Sequence, residues 1–587
     1  MRQLLAELRR RNVFRAAAFY AASGWLLVQV ATQVLPFFAV PDWTVRAVVI
    51  ATVLGFPFAM LFAWIYEWTP QGFKRESEVP AGQSLTHLTG KRLDRWIIAA
   101  LSLAVVLLLV DRLVWRDAAP AVVARSVAVI PLVDESGDAD SEYFSDGLSE
   151  ELISALGRIR GLKVIGRSSS FQFKNQHADS KSIGRKLGVA TLLEGTVRKQ
   201  ADRVRIVAEL VNVADNRQLW TQTYDRELKD LFAIQSDIAQ AVAGALKVTL
   251  LGDSASVQPR HSSENVQAHN AYLQGHFYFE RHNGDGYRRA IRAFGEAIRI
   301  DPDYALAYAE RAIAWSWIGD VDANSADVAR VAARKDAERA AAIDPTLAEA
   351  HAALGWVRYF VDWNFDAALT ELRRAEQLAP GNARNKDVLS HVLLRTGQVE
   401  EASALAWQAV ELDPLAYETR NDLARVLAVQ GRLDAAAAQG RVAAELQPAG
   451  VASHRWQVIA AVLQGNAEGA LHEAGLEPNR AFRSFETALA QDARGDRAAA
   501  DTELVGLSAE FSTSMAYQIA EVYAFRGDTE SAFAWLQRAY FNRDVGILGM
   551  LVDPLLRGLR SDPRFDALLL KLGLPVTAAG PAPGSEH

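Results

Sequence analysis

Seven polar side chains in the second half of the chain, Arg384, Asp387, His391, Glu418, Asn421, Arg425 and Arg455, offer the mixture of charge and amide that bonds a peptide backbone or a partner helix. They are equally what a solvated helix face carries. No other grouping points to a reaction. His269, His276 and His282 are seven and six residues apart, not the four that sets two imidazoles on one helix face for zinc, so packed or surface histidines are expected. Asp134, Asp138, Asp140 and Glu142 in DESGDADSE offer oxygens to calcium. They lack the glycine and the closing Glu of a calcium loop, so a solvated turn is expected. Ser168–Ser170 has no His or Lys placed as a base and reads as a polar strand end. With no P-loop, GxSxG, HExxH or recognisable carboxylate pair, neither an enzyme nor a cofactor is expected.

The elements that would position these residues follow from composition. The chain has 587 residues, 50% of them hydrophobic, enough for several domains. It has no cysteine, which removes disulfides, thiolate metal sites and cysteine nucleophiles. Its net charge of −7 is uneven: residues 1–117 hold 13 Lys and Arg against 8 Asp and Glu, and the remainder 50 against 62. An acidic majority argues against nucleic acid, whose phosphates a partner must neutralise.

The basic head carries two uncharged runs, 26 residues between Arg15 and Asp42 and 20 between Arg46 and Glu67, and a third of 15 from Trp96 to Val110. Each reads as a membrane helix, at about 16–38, 45–66 and 96–115, with tryptophans near the ends. Lys and Arg cluster in 1–15 and in the loop 67–95, which the positive-inside rule makes cytoplasmic. Three crossings would put everything after about residue 117 in the periplasm, making this a multi-pass protein of a bacterial inner membrane.

After a linker at 117–125, residues 126–250 read as a small α/β domain. SVAVIPLV is a buried-strand run. A helix follows with Asp146 as its expected N-cap and Leu148, Leu152, Ile153 and Leu156 as its apolar stripe. Strands are expected at Leu162–Arg167, Thr191–Lys199, Arg203–Val213 and Gln218–Asp225, and helices at Ser180–Leu187 and about 228–250. SVAVIPLVDESGDADSEYFSDGLSEELISALGRIRGLKVIGRSSS and the later IGRKLGVATLLEGTVRKQADRVRIVAELVNVADNRQLWTQTYDRELKDLFAIQSDIA closely resemble the domain related to the amino-terminal part of TolB, also compared with FlgO. RRNVFR, the paired apolar runs and EWTPQGFKRE look like the same group of proteobacterial membrane proteins. The resemblance implies kinship with membrane-bound class III cyclases and winged-helix regulators, yet residues 1–15 and 67–95 leave no room for either output domain.

Beyond a second linker, 251–263, a phrase recurs. Pro302, Pro345, Pro380, Pro414 and Pro448 each stand five residues after an alanine: Ala297, Ala340, Ala375, Ala409 and Ala443. The prolines are 43, 35, 34 and 34 residues apart. Alanine lets two helices approach and proline ends the second, so each unit is a helix pair stacked on the next. This resembles the tetratricopeptide (TPR) pattern, and a TPR solenoid with capping helices is expected over 264–575, followed by a loose tail at 576–587. The register degrades after Pro448 and returns at Ala532, Leu536 and Ala539; Tyr540–Pro575 would cap the open end. The seven polar residues above fall on the inner wall, made by the first helix of each pair. A carboxylate clamp is not expected, since Ala352 and Trp356 occupy its Lys and Asn positions.

The fold class is therefore multi-domain: a three-helix membrane region, a small α/β domain and an all-α solenoid. The expected function is an inner-membrane-anchored periplasmic scaffold that binds protein or peptide partners in the TPR groove, with lipid as its other partner, no nucleic acid, and homo-oligomerisation open. A sensory component relaying periplasmic binding to a cytoplasmic enzyme or transcription factor is the alternative.

Overall fold

The computed structural model describes residues 123–136, 142–159, 161–176, 178–200, 203–227, 230–246, 265–321 and 325–576, with 66–69, 72–75 and a few single positions ahead of them. The chain divides into two compact units, Met1–Ala119 and Pro120–His587. In the first, β1 (Tyr66–Thr69) and β2 (Gly72–Arg75) pair antiparallel with Glu67 opposite Lys74.

The expected placement as a multi-pass inner-membrane protein with a periplasmic body is overturned, because no helix among the described residues is long and apolar enough to cross a membrane. Tyr66, the last residue of the second expected span, is extended and paired as a strand rather than helical. Most of the three apolar runs, and the linker 251–263, lie outside the described residues.

The second unit begins with a six-stranded mixed sheet. Its strands are β3 (Val123–Val129), β4 (Val133–Asp134), β5 (Lys163–Val164), β6 (Val189–Gln200), β7 (Arg203–Asn212) and β8 (Gln218–Glu227). The order is β5-β3-β6-β7-β8 with β4 beside β6. β3 runs parallel to β5 and β6, and β6 to β8 form an antiparallel meander. Val204, Ile206, Ala208 and Leu210 alternate inward from β7. They share a core with Leu148, Leu152 and Leu156 of α1 (Glu142–Gly157) and with Ile234, Ile238 and Val242 of α4 (Leu231–Ala245).

Two local expectations fail here for identifiable reasons. Asp146 is not an N-cap: α1 starts at Glu142, and Asp146 sits buried inside it, 2.7 Å from Lys174 Nζ. The strand expected through Arg167 stops at Val164, since the Gly166 N–H donates to the Leu412 carbonyl (2.7 Å) and Arg167 starts α2 (Arg167–Phe171). By contrast α3 runs Ser180–Leu187 as expected, between an Asp179 cap and Gly188 in the left-handed region.

Eight helix pairs then stack among the described residues: α5 (Val266–Phe279) with α6 (Gly284–Ile300), α7 (Ala305–Val321) with α8 (Ala326–Ile343), α9 (Ala348–Phe360) with α10 (Phe365–Leu378), α11 (Ala383–Arg395) with α12 (Val399–Leu412), α13 (Tyr417–Val429) with α14 (Leu433–Leu446), α15 (Arg455–Leu463) with α16 (Ala467–Leu476), α17 (Arg480–Arg494) with α18 (Arg497–Phe511), and α19 (Ala516–Phe525) with α20 (Thr529–Asn542). This is a TPR-type solenoid. The recurrent alanines are fully buried at 0% exposure. Each also accepts the last hydrogen bond of its helix, as Ala297 does from Asp301 N and Ala409 from Asp413 N. Proline follows at the next residue, where no N–H is available to continue.

Within the pairs a second device appears. Gly397, Gly431, Gly465, Gly495 and Gly527 have φ from +75° to +85°, which glycine adopts without steric cost. The residue after each donates back to the preceding helix, as Gln398 N does to Leu393 O, closing a Schellman turn. Five residues beyond each glycine stands a fully buried alanine: Ala402, Ala436, Ala470, Ala500 and Ala532.

The closing segment does more than cover an end. After α20 it forms two short 3-10 turns and α21 (Pro563–Leu572), and it folds back across the solenoid. Arg543 donates to the Val361 carbonyl at 2.7 Å and stacks on Trp363 at 4.2 Å. Leu551, Leu555, Leu556 and Leu569 belong to the same core as Leu393 and Leu427. At the other end one core runs without a break from Val127 in β3 through Leu273 in α5 to Ala353 in α9, so sheet layer and solenoid form one body.

Candidate functional site

The inner wall at α11, α13 and α15 holds the densest set of the expected residues. His391 Nδ1 is 2.9 Å from Asp422 Oδ2, and its Nε2 is 3.0 Å from Tyr359 Oη. Arg425 pairs with Asp422 at 3.0 Å. Burial pushes the His391 pKa down to about 4, against the pull of Asp422. Burial would raise Asp422 as well, but Arg425 and His391 hold it well below the usual carboxylate range. Asp387 goes the other way: burial, reinforced by the Asp422 and Glu418 charges, lifts it well above that range, and its Oδ1 is buried without a partner. Two neighbouring carboxylates are thus driven apart, one held in its charged form and the other pushed towards its neutral form.

A cavity of about 280 Å³ opens beside this cluster. Asn421, Arg425 and Arg455 line it from the wall, while Gly549, Val552 and Asp553 of the closing segment line it from the opposite side. Arg455 reaches the fully buried Glu521 and lies over Phe485, 5.1 Å from the ring centroid. The Trp456 indole has both Arg425 and Arg455 at 5.7 Å. Tyr517 Oη donates to Asp553 at 2.8 Å.

Of the seven expected residues the structure brings Asn421, Arg425 and Arg455 to the cavity, with His391 joined to them through Asp422. Arg384 lies apart, 3.9 Å from the buried Glu310 and over the Phe279 ring at 5.7 Å. Glu418 is exposed near this cluster. Sequence reasoning missed Arg395, Tyr417 and Gln518, all of which line the cavity. Arg395 and Tyr417 stand one helical step of four from His391 and Asn421, which marks the same face. Asp553 carried no such signal.

A second polar cluster joins α1 to α5. His276 Nε2 is 2.8 Å from Glu150, and Arg167 bridges Glu150 (3.0 Å) and Glu280 (2.5 Å). Burial alone would lower His276, but Glu150 and Glu280 raise it to about 9. Burial would raise Glu150, and His276 and Arg167 overcome it to bring the carboxyl to about 2. Glu151 beside them is lifted by burial to about 8, only partly relieved by the Gln235 amide. His269, at 3.4 Å from Glu151, is pushed by burial to about 3. At the far edge of the sheet layer Asp413 accepts from Ser169 N at 2.7 Å and from the Ser169 hydroxyl. None of the groups in these two contacts lines the cavity.

No family model matches the chain. Over 188 residues it is 34% identical to a putative adenylate cyclase 3 of Rhizobium meliloti (strain 1021); the match covers 32% of this chain and 32% of that protein, so the chain spans about a third of the length of that curated relative. Among solved structures it is similar to YrrB, described as a TPR protein with an unusual peptide-binding site, at 22% identity and TM-score 0.25 over 36% of this chain and 96% of that one. PilF of Pseudomonas aeruginosa matches at 19% identity and TM-score 0.29, over 37% and 98%. PilW, a type IV pilus biogenesis factor, matches at 17% and 0.27, over 41% and 93%.

Proposed function

We propose that the chain is a non-enzymatic protein-interaction scaffold that receives a segment of a partner protein on the inner wall of α11, α13 and α15. The sheet layer acts as an adaptor that braces the first pairs of the solenoid. One observation carries the reading: at α11–α15 the wall keeps an open, charged cavity, whereas at α5 the polar side chains are closed off against α1. Amide and guanidinium groups on a curved wall suit backbone and side-chain acceptors of a bound segment.

A photo-crosslinking residue placed at Asn421, compared in cells with one at the exposed outer position Arg441, tests this. A discrete protein adduct at 421 that is absent at 441 and is lost with Arg455→Glu is expected. Equal adducts at both positions, or turnover of a nucleotide or peptide by the purified chain alone, would refute it.

A further inference from the structure

Three guanidiniums converge on the cavity, and they are not equally partnered. Arg395, Arg425 and Arg455 come from three successive inner helices to the same lining. Arg425 has Asp422 and Arg455 has Glu521. Arg395 has no ion-pair or hydrogen-bond partner among the described residues, and its Nε is buried without an acceptor. A buried guanidinium nitrogen without an acceptor is costly, and a ligand in the cavity would supply one.

Its position is also prepared. A Cβ on Gly549 would run into Arg395 Nη1, so a larger residue there would displace the guanidinium from this position. Gln518 and Asn421 add amides to the same lining, whose NH2 groups can donate to an anion. Donors exceed acceptors, and the Trp456 ring supplies a flat apolar wall. The volume is just under the roughly 300–1,000 Å³ of drug-sized sites, which fits a ligand the size of a dicarboxylate or a phosphate monoester, or one acidic side chain.

We propose that this cavity binds a small oxyanion, a carboxylate or phosphate group, with Arg395 as its principal partner and Arg425 and Arg455 flanking it, so that the ligand bridges the inner wall and the folded-back closing segment. This rests on reading the cavity as a binding site but not on the ligand being part of a protein.

Calorimetric titration of the full chain with inorganic phosphate, with succinate and with a short glutamate-containing peptide separates the sources. Binding of phosphate or succinate identifies a free small anion. Binding of the peptide alone identifies an acidic side chain. In either case Arg395→Ala weakens affinity by about tenfold or more, as expected for loss of a charge-assisted contact. Gly549→Val, which keeps every charge but displaces Arg395, weakens it comparably, and Arg395→Lys weakens it less. Arg480→Ala, which opens an ion pair with Glu510 made outside the cavity lining, changes nothing. Circular dichroism of each variant establishes that it is folded. Absence of binding for all three probes, or binding unchanged in folded Arg395→Ala and Gly549→Val, overturns the proposal. The crosslink at Asn421 is scored independently, so a protein partner without anion binding would sink this inference and leave the scaffold standing.

Discussion

The α1–α5 seam and the α11–α15 wall use the same residue types to opposite ends. In the seam, His276 and Arg167 face Glu150 and Glu280 closely enough that the histidine stays protonated to about 9. On the wall, His391 falls to about 4 and the Arg395 Nε is buried without an acceptor. A matched buried cluster fixes two elements in register, and an unmatched one beside a cavity is held ready for something else. The lesson is that how fully buried polar groups are partnered, rather than their number, separates glue from a site.

The largest expected effect lies in the seam. His276→Ala strands the buried Glu150 beside Arg167 alone and should cost about 3–5 kcal/mol in urea unfolding, the usual penalty for breaking a buried pair. Next comes Glu151. Its pKa is about 8 folded against an ordinary 4.5, so its contribution is complete below pH 4.5 and is lost as pH rises through about 8. Glu151→Gln should therefore stabilise the protein at pH 8 by on the order of 2–4 kcal/mol and do little at pH 4, read from denaturant midpoints at the two pH values. At the other contact of the sheet layer, Asp413→Ala removes the acceptor for both Ser169 donors. About 1–3 kcal/mol is expected, with faster amide exchange at Ser169 and Leu415. If Asp413→Ala cost more than His276→Ala, the ranking of the two contacts would be reversed.

Much of the solenoid was legible because its signals are local. The Ala-to-Pro spacing marks the ends of α6, α8, α10, α12 and α14, each set by a hydrogen bond four residues long and a proline without an N–H. The same phrase fails after Pro448 although the pairs continue, and there the turns inside the pairs are still marked by Gly465, Gly495 and Gly527 and the buried alanines five residues on. That glycine spacing is also in the sequence and would have carried the reading through α15–α20. Asp146 misled because an acidic residue before an apolar stripe looks like a cap, while Lys174, 28 positions away, makes it tolerable inside the helix. The cavity was half legible. Its wall follows helical periodicity, but Gly549 and Asp553 reach it only because the closing segment returns to residues as distant as Val361, a contact across 182 positions. No local pattern encodes that return.

The central claim is that Arg395 is kept for a ligand and not for the fold. Unfolding of Arg395→Met in urea, with no added anion, tests it most directly against the wild-type chain. The account predicts stability unchanged or slightly raised, because Arg395 makes no hydrogen bond or ion pair with the described residues and its buried Nε has no acceptor. A loss comparable to that of His276→Ala would show that Arg395 holds the structure together and would contradict it.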